Sequence, residues 1–295
     1  MKIIEEVAIT NHIEIHQKNI VKIKKVLAEF LNAKYKSCEE KIRYIVITNN
    51  ISEARKKYHH PDLREIARAT TCKSGEKFDI IINYNNCILD ASNNYALDFF
   101  TTNFICHEFQ HVRDRVKYDG FINEYCRKHE IPYNQGVIGE MIFKEFNAQF
   151  QGQSYCPLIW EFNKYNMEDN IKKYHIMFNE LKEQIEQIKS LQEARVELGE
   201  IAQNALDFTR NLMYDLSLAF GCNAADNKRE QGKKYVNITI QGIDDGIDEI
   251  LNNFTKDFNV NILDNKALIE YSIKHSMMVH DFINEIYKDK CKRLN

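Results

Sequence analysis

Proline occurs three times in 295 residues and tryptophan once, while lysine, asparagine and isoleucine abound. That bias points to an AT-rich bacterial or phage genome. Charge of one sign is missing too: 40 Lys and Arg stand against 43 Asp and Glu. The net charge of −3 leaves no electrostatic footprint for nucleic acid or an anionic membrane. No apolar run reaches membrane-spanning length without charges, and the start MKIIEEVAITNHIEIHQKN has no apolar core followed by a small-residue cleavage site. A cytoplasmic protein is expected. Cys-x-x-Cys is absent; the eight cysteines (38, 72, 87, 106, 126, 156, 222 and 291) are scattered, as thiols in a reducing compartment are. With 44% hydrophobic residues the chain can bury a core, as one large domain or two modest ones.

The stretch 95–118, YALDFFTTNFICHEFQHVRDRVKY, reads as one amphipathic helix. Ile105, Phe109, Val112 and Val116 fall at i, i+4, i+7 and i+11, an apolar stripe that docks it on a core. Ser92 and Asn93 are the expected caps, and Asp119-Gly120 the expected stop. On a neighbouring face stand His107 and His111, four apart, so both imidazoles can reach one metal ion. Glu108 is one step round, where its carboxylate can take a proton from water instead of occupying a ligand position. His107-Glu108-Phe109-Gln110-His111 is thus the His-Glu-x-x-His pattern of zinc hydrolases.

A catalytic zinc keeps three protein ligands and one water. In the helix expected over about 137–151, Glu140, Lys144, Asn147 and Gln151 form a polar line, which makes Glu140 a solvated residue paired with Lys144. Glu145 shares a line with Ile138, Met141, Ala148 and Gly152, where burying a carboxylate calls for a cation. Glu145 is therefore the expected third ligand. His129 is the other candidate, but Arg127, Lys128 and Glu130 suggest an exposed turn around it.

His107-Glu108-x-x-His111 followed by a helical Glu145 resembles the gluzincin group of zinc metallopeptidases, over roughly residues 40–152. The segment Glu145-Phe146-Asn147-Ala148 departs from the Asn-Glu-x-x-x-Asp form of the thermolysin-like branch, which leaves the subfamily open. Metzincins are excluded, because Asp114 and Lys117 stand where that pattern needs Gly and His. The resemblance implies an α+β, mainly α fold: a small, mostly antiparallel sheet packed on the active-site helix. It also implies one Zn2+ per chain on His107, His111 and Glu145, with Glu108 as general base.

Elsewhere, Ile20, Ile23, Leu27 and Phe30 or Leu31 predict a packing helix over about 16–35. His12 and His16 read as a surface pair. Arg43–Thr48 reads as a strand ending at Asn49-Asn50; a short helix capped by Ser52 follows, and then a solvated His59-His60 pair. Ile66–Cys72 and Phe78–Tyr84 form a hairpin around Gly75; Phe78–Tyr84 reads as sheet core, as the strand whose exposed edge borders the cleft in gluzincin-like folds, where an extended peptide can pair, or as both. After Pro157 the pattern turns helical. Ile171, Tyr174, Phe178, Leu181, Ile185 and Ile188 make a seam, and a helical hairpin at 168–220 breaks near Ser190-Leu191-Gln192. Asn223–Lys234 reads as a flexible loop, Tyr235–Ile240 as a half-buried strand without an identified partner, and helices near 242–258 and 264–290 close the chain.

The division expected is 1–156 as zincin-like core with its N-terminal helix and 157–295 as a helical region. The function expected is peptide-bond hydrolysis through a metal-activated water, acting on protein or peptide and not on nucleic acid or membrane. Tyr118, Tyr133, His175, His275 and His280 are candidate oxyanion donors, and Asp114 could orient a ligand imidazole or pair at the surface with Arg115 or Lys117. The alternative is a helical binding or regulatory protein with a structural or inactive zinc site. Substrate specificity and oligomeric state are not encoded in any of these patterns.

Overall fold

The computed structural model describes residues 1–8, 11–60, 69–89, 96–98, 101–156 and 167–294. The caps expected at Ser92 and Asn93 and the boundary at Pro157 lie outside the described residues. The fold is α+β and mainly α. It divides into two compact units: Met1–Gly120 with Asn147–Leu158, and Phe121–Phe146 with Ile159–Asn295.

In the first unit four strands, β1 (Lys2–Glu6), β2 (Ile42–Thr48), β3 (Ala69–Ser74) and β4 (Lys77–Asn83), form a sheet in the order β1-β2-β4-β3. β1 and β4 both run parallel to β2, and only β3 pairs antiparallel with β4. The expectation of a mostly antiparallel sheet is thereby corrected. A parallel pair needs a crossover, and helix α1 (Ile13–Ala33) supplies it between β1 and β2. The missed strand β1 completes that unit. The hairpin itself is as expected, with Gly75 at φ 62° turning the chain between β3 and β4.

Alternation along the central strands splits the core in two. Ile45 and Ile47 of β2 and Ile80 and Ile82 of β4 pack with Ile23, Leu27 and Phe30 of α1 and with Ile105, Phe109 and Val112. Val46 and Ile81 face the other way, against Ile51 and Ala54 of α2 (Ile51–Lys57). The N-cap of α2 is Asn50, whose side chain accepts from Glu53 N, so the cap expected at Ser52 falls inside the helix instead. Short strands β5 (Ile88–Leu89) and β6 (Ala96–Leu97) pair antiparallel ahead of the next helix.

Helix α3 (Thr101–Lys128) carries the His-Glu-x-x-His stretch. Ile105, Phe109 and Val112 are buried as the stripe requires, whereas Val116 is 47% exposed. The helix does not stop at Asp119-Gly120. A lone glycine costs about 1 kcal/mol in a helix, and burial of Ile122 just beyond it offsets that. Helix α4 (Tyr133–Tyr155) buries Ile138, Ile142, Phe143 and Phe146, but also Lys144 and Asn147. The polar line of α4 is therefore not a wet face, and the argument that set Glu140 apart as solvated fails. Lys144 is paired with Glu140, as the spacing suggested, but inside the protein.

The second unit contains α5 (Met167–Gln187), α6 (Leu191–Gln231), α7 (Asp245–Asn261) and α8 (Asn265–Arg293). Tyr174, Phe178, Leu181, Ile185 and Ile188 are buried, so the seam on α5 is covered. Ser190 caps α6 by accepting from Glu193 N, while Glu193 Oε2 accepts from Lys189 N. Asn223–Gln231 is helical, part of α6, and the loop expected there begins only at Gly232 (φ 70°).

Tyr235–Ile240 has no regular secondary structure and pairs with no strand among the described residues. Its partners are asparagine side chains. Asn259 accepts from Val236 N (2.7 Å) and donates to Val236 O (2.8 Å). Asn252, one heptad earlier on α7, does the same for Ile240 at 3.0 and 2.7 Å. Asn227 and Asn223 of α6 bond Tyr235 O and Asn237 N. A primary amide presents the same donor and acceptor as a peptide unit, which is why it can stand in for a strand. Among the described residues no helix is long and apolar enough to cross a membrane.

Candidate metal centre

The helical repeat of α3 brings His107 and His111 together. Their rings meet edge to face with centroids 4.5 Å apart, and the two Nε2 atoms face each other at 2.9 Å. One oxygen of Glu108 completes a cluster in which each ligand atom is within 4.8 Å of the others. A tetrahedral zinc with bonds of 2.0–2.1 Å would hold two nitrogens about 3.3 Å apart, so the pair needs only a few tenths of an ångström to admit the ion. Both imidazoles are half-buried and Glu108 is buried. The donor set, two imidazoles and a carboxylate beside them, fits zinc.

Glu108 is held from the sheet. The Thr71 hydroxyl on β3 donates to Glu108 Oε2 at 2.7 Å and is 3.1 Å from Glu108 O. This contact corrects the reading of Phe78–Tyr84 as the edge strand at the site. β4 is interior, paired on both sides and buried from Phe78 to Asn83, whereas β3 is last in the sheet order and bears the residue that meets Glu108. Sequence reading missed Thr71. Its only local signal is position, because in a pleated strand Thr71 faces opposite to Thr70 and Cys72. Thr70 accordingly bonds Arg55 of α2, on the other face.

Asp114, expected either to orient an imidazole or to pair at the surface, is almost fully buried. It accepts from Gln110 Nε2 (2.8 Å), and Asn147 Nδ2 reaches both of its oxygens at 2.9 Å. Gln110 in turn accepts from the Tyr35 hydroxyl. Burial, with the Cys106 thiol beside it, pushes the Tyr35 phenol far above its ordinary range, so it serves here as a donor. The chain Tyr35–Gln110–Asp114–Asn147 fixes the back of α3 to the turn that follows α1 and to the last turns of α4. Lys34 Nζ adds a bond to Gln151 Oε1.

The remaining histidines are spoken for in several ways. His60, expected in solvent, is buried against Asp79 (2.8 Å), which also accepts from Arg43; its neighbour His59 is exposed at φ 62°. Burial of Asp79 inside the sheet demanded the pairing. His16, expected at the surface beside His12, is half-buried and bonds the Tyr84 hydroxyl at 2.8 Å. His129 is exposed, as its charged neighbours suggested. Among the oxyanion candidates, His175 bonds Ile243 O and Asn179, and His275 bonds Tyr271 O, all within the second unit.

Glu145 lies on α4, half-buried, with Oε2 shielded from solvent. It belongs to the second unit, whereas His107, Glu108 and His111 belong to the first. Compared with protein-family models, curated proteins and solved structures, the chain gives no match.

Proposed function

We propose that the chain is a zinc-dependent peptidase of the gluzincin kind, with His107 and His111 as metal ligands and Glu108 as general base, and with Glu145 as third ligand on the sequence pattern alone. The observation carrying this reading is the pair of facing Nε2 atoms with the Glu108 carboxylate beside them. A bound zinc ion would supply the positive charge that acidifies water near neutral pH and offsets negative charge developing on the substrate carbonyl. Glu108 takes a proton from the attacking water and delivers it to the leaving amine, so that one water is consumed and one C–N bond is broken. The half-buried imidazoles leave the site reachable from solvent, while Thr71 anchors the base. An extended protein or peptide chain is the proposed substrate, and the cytoplasm the proposed location. Supporting that location, the described cysteines form no disulfide.

Elemental analysis of the purified chain tests the metal, with about one zinc expected per chain. Glu145→Ala should weaken binding and Glu140→Ala should not; the reverse would transfer the ligand role to Glu140. Glu108→Gln should keep its zinc and its melting temperature while hydrolysis of an unfolded protein such as casein falls about a hundredfold or more. Undiminished hydrolysis in that variant would remove the proposed mechanism.

A further inference from the structure

Glu108 stands close enough to the two imidazoles that one of its oxygens is within 4.8 Å of both ligand nitrogens. At that range a carboxylate has two available roles: it can bind the metal itself, or stand beside it as a base. Helix geometry does not choose between them, because a glutamate has three side-chain torsions to reorient with. The hydrogen bond from Thr71 at 2.7 Å restrains the carboxylate.

We propose that Thr71 is a positioning residue that holds the Glu108 carboxylate off the metal and so assigns it the role of base; this rests on the peptidase reading above. Threonine is stiff at χ1, so its Oγ1 is placed by the strand backbone. That backbone is pinned by the pairing Thr71↔Ile80, and Ile80 is buried under α1 and α3. The sheet thus sets where Oε2 rests. Thr71 donates to Oε2 at the shorter distance and acts through Glu108.

The test uses the full chain loaded with Co2+ in place of zinc, because the visible spectrum of cobalt reports its coordination directly and needs no substrate. Thr71→Val keeps the size and β-branch of threonine and loses the hydroxyl; Thr71→Ala is the second variant lacking it, and Thr71→Ser retains it. We expect Thr71→Ser to match the parent spectrum and Thr71→Val and Thr71→Ala to shift it as Glu108 joins the coordination shell. In the Glu108→Ala background, Thr71→Val should produce no shift. With zinc and casein, kcat should fall about tenfold or more in Thr71→Val with KM little changed, and Thr71→Ser should restore it.

A parent-like cobalt spectrum in both hydroxyl-free variants overturns the proposal, as does a shift that persists without Glu108. Loss of cobalt from variants whose circular dichroism is unchanged also overturns it, since Thr71 would then be holding the metal site together instead of directing Glu108. A parent that binds cobalt yet hydrolyses no unfolded protein refutes the peptidase reading by itself and leaves the spectral outcome to decide the placement of the carboxylate. A parent that binds no cobalt ends both.

Discussion

Two groups of hydrogen-bonded polar side chains, one in each unit, serve different ends. In the first, side chain meets side chain: Thr71 with Glu108, Gln110 and Asn147 with Asp114, Arg43 and His60 with Asp79. In the second, the amides of Asn252 and Asn259 are spent on backbone, giving Ile240 and Val236 the partners a neighbouring strand would have given. A buried polar group must be bonded in either place, but only the first arrangement fixes the orientation of an ionisable side chain. Chemistry is therefore expected to concentrate in the first unit, and the second to be sensitive chiefly in its packing.

Substitutions can break that contrast. The largest effect expected is complete: His107→Ala or His111→Ala should remove the metal, measured by elemental analysis, while circular dichroism stays that of the parent. Full zinc in either variant would empty the first unit of its assigned chemistry. In the second unit, Gly139→Ala should destabilise by about 1–3 kcal/mol or more, because an added Cβ would lie 2.3 Å from the Ile273 Cα, and backbone cannot swing aside. Its melting temperature should fall with metal content per folded chain unchanged. Asn259→Ala should cost about 1–3 kcal/mol in denaturant unfolding, since it strands the N–H and C=O of buried Val236. A neutral result there would mean that the segment Tyr235–Ile240 is not held by its asparagines.

The smallest effect sharpens the comparison through pH. Burial lowers the pKa of His275, and the Asp257 carboxylate 3.3 Å from Nε2 does not restore it, because Asp257 is itself 46% exposed and screened. Burial lowers the pKa of His280 as well. The folded chain thus binds protons on α8 less readily than the unfolded chain does. Their contribution to stability is complete above the ordinary histidine value of 6.5 and is lost as pH falls from there through the lowered folded values. His275→Gln should flatten the loss of stability between about pH 7 and 5 in denaturant titrations. An unchanged slope would mean that His275 does not carry it.

Much of the local architecture is legible in the amino-acid sequence. The spacing of Ile20, Ile23, Leu27 and Phe30 marks α1, Gly75 marks the hairpin turn, and Asp264 opens the last helix by capping Lys266 N and Ala267 N. The seam from Tyr174 to Ile188 is equally plain. At the candidate site, His107, Glu108 and His111 are legible because their relation is fixed by one turn of helix, and a turn of helix is a local object. Less is readable where composition misleads. Lys144 and Asn147 look like a wet face, and Asn223–Gln231 looks like a loop, yet α4 is buried on that side and α6 runs on to Gln231. Propensity is a weak prior that tertiary packing overrides.

By itself the sequence determined that His107 and His111 stand one helical turn apart with Glu108 one step from them, since period and spacing are properties of neighbouring residues. Tertiary structure alone decided the sheet order, the burial of His60 on Asp79, the asparagine partners of Tyr235–Ile240 and the contact of Thr71 with Glu108. Thr71 and Glu108 are 37 residues apart on different elements. No periodicity spans such an interval; the pairing exists because β3 closes the sheet beside β4 and α3 packs across the same face, and that choice belongs to the folded core as a whole.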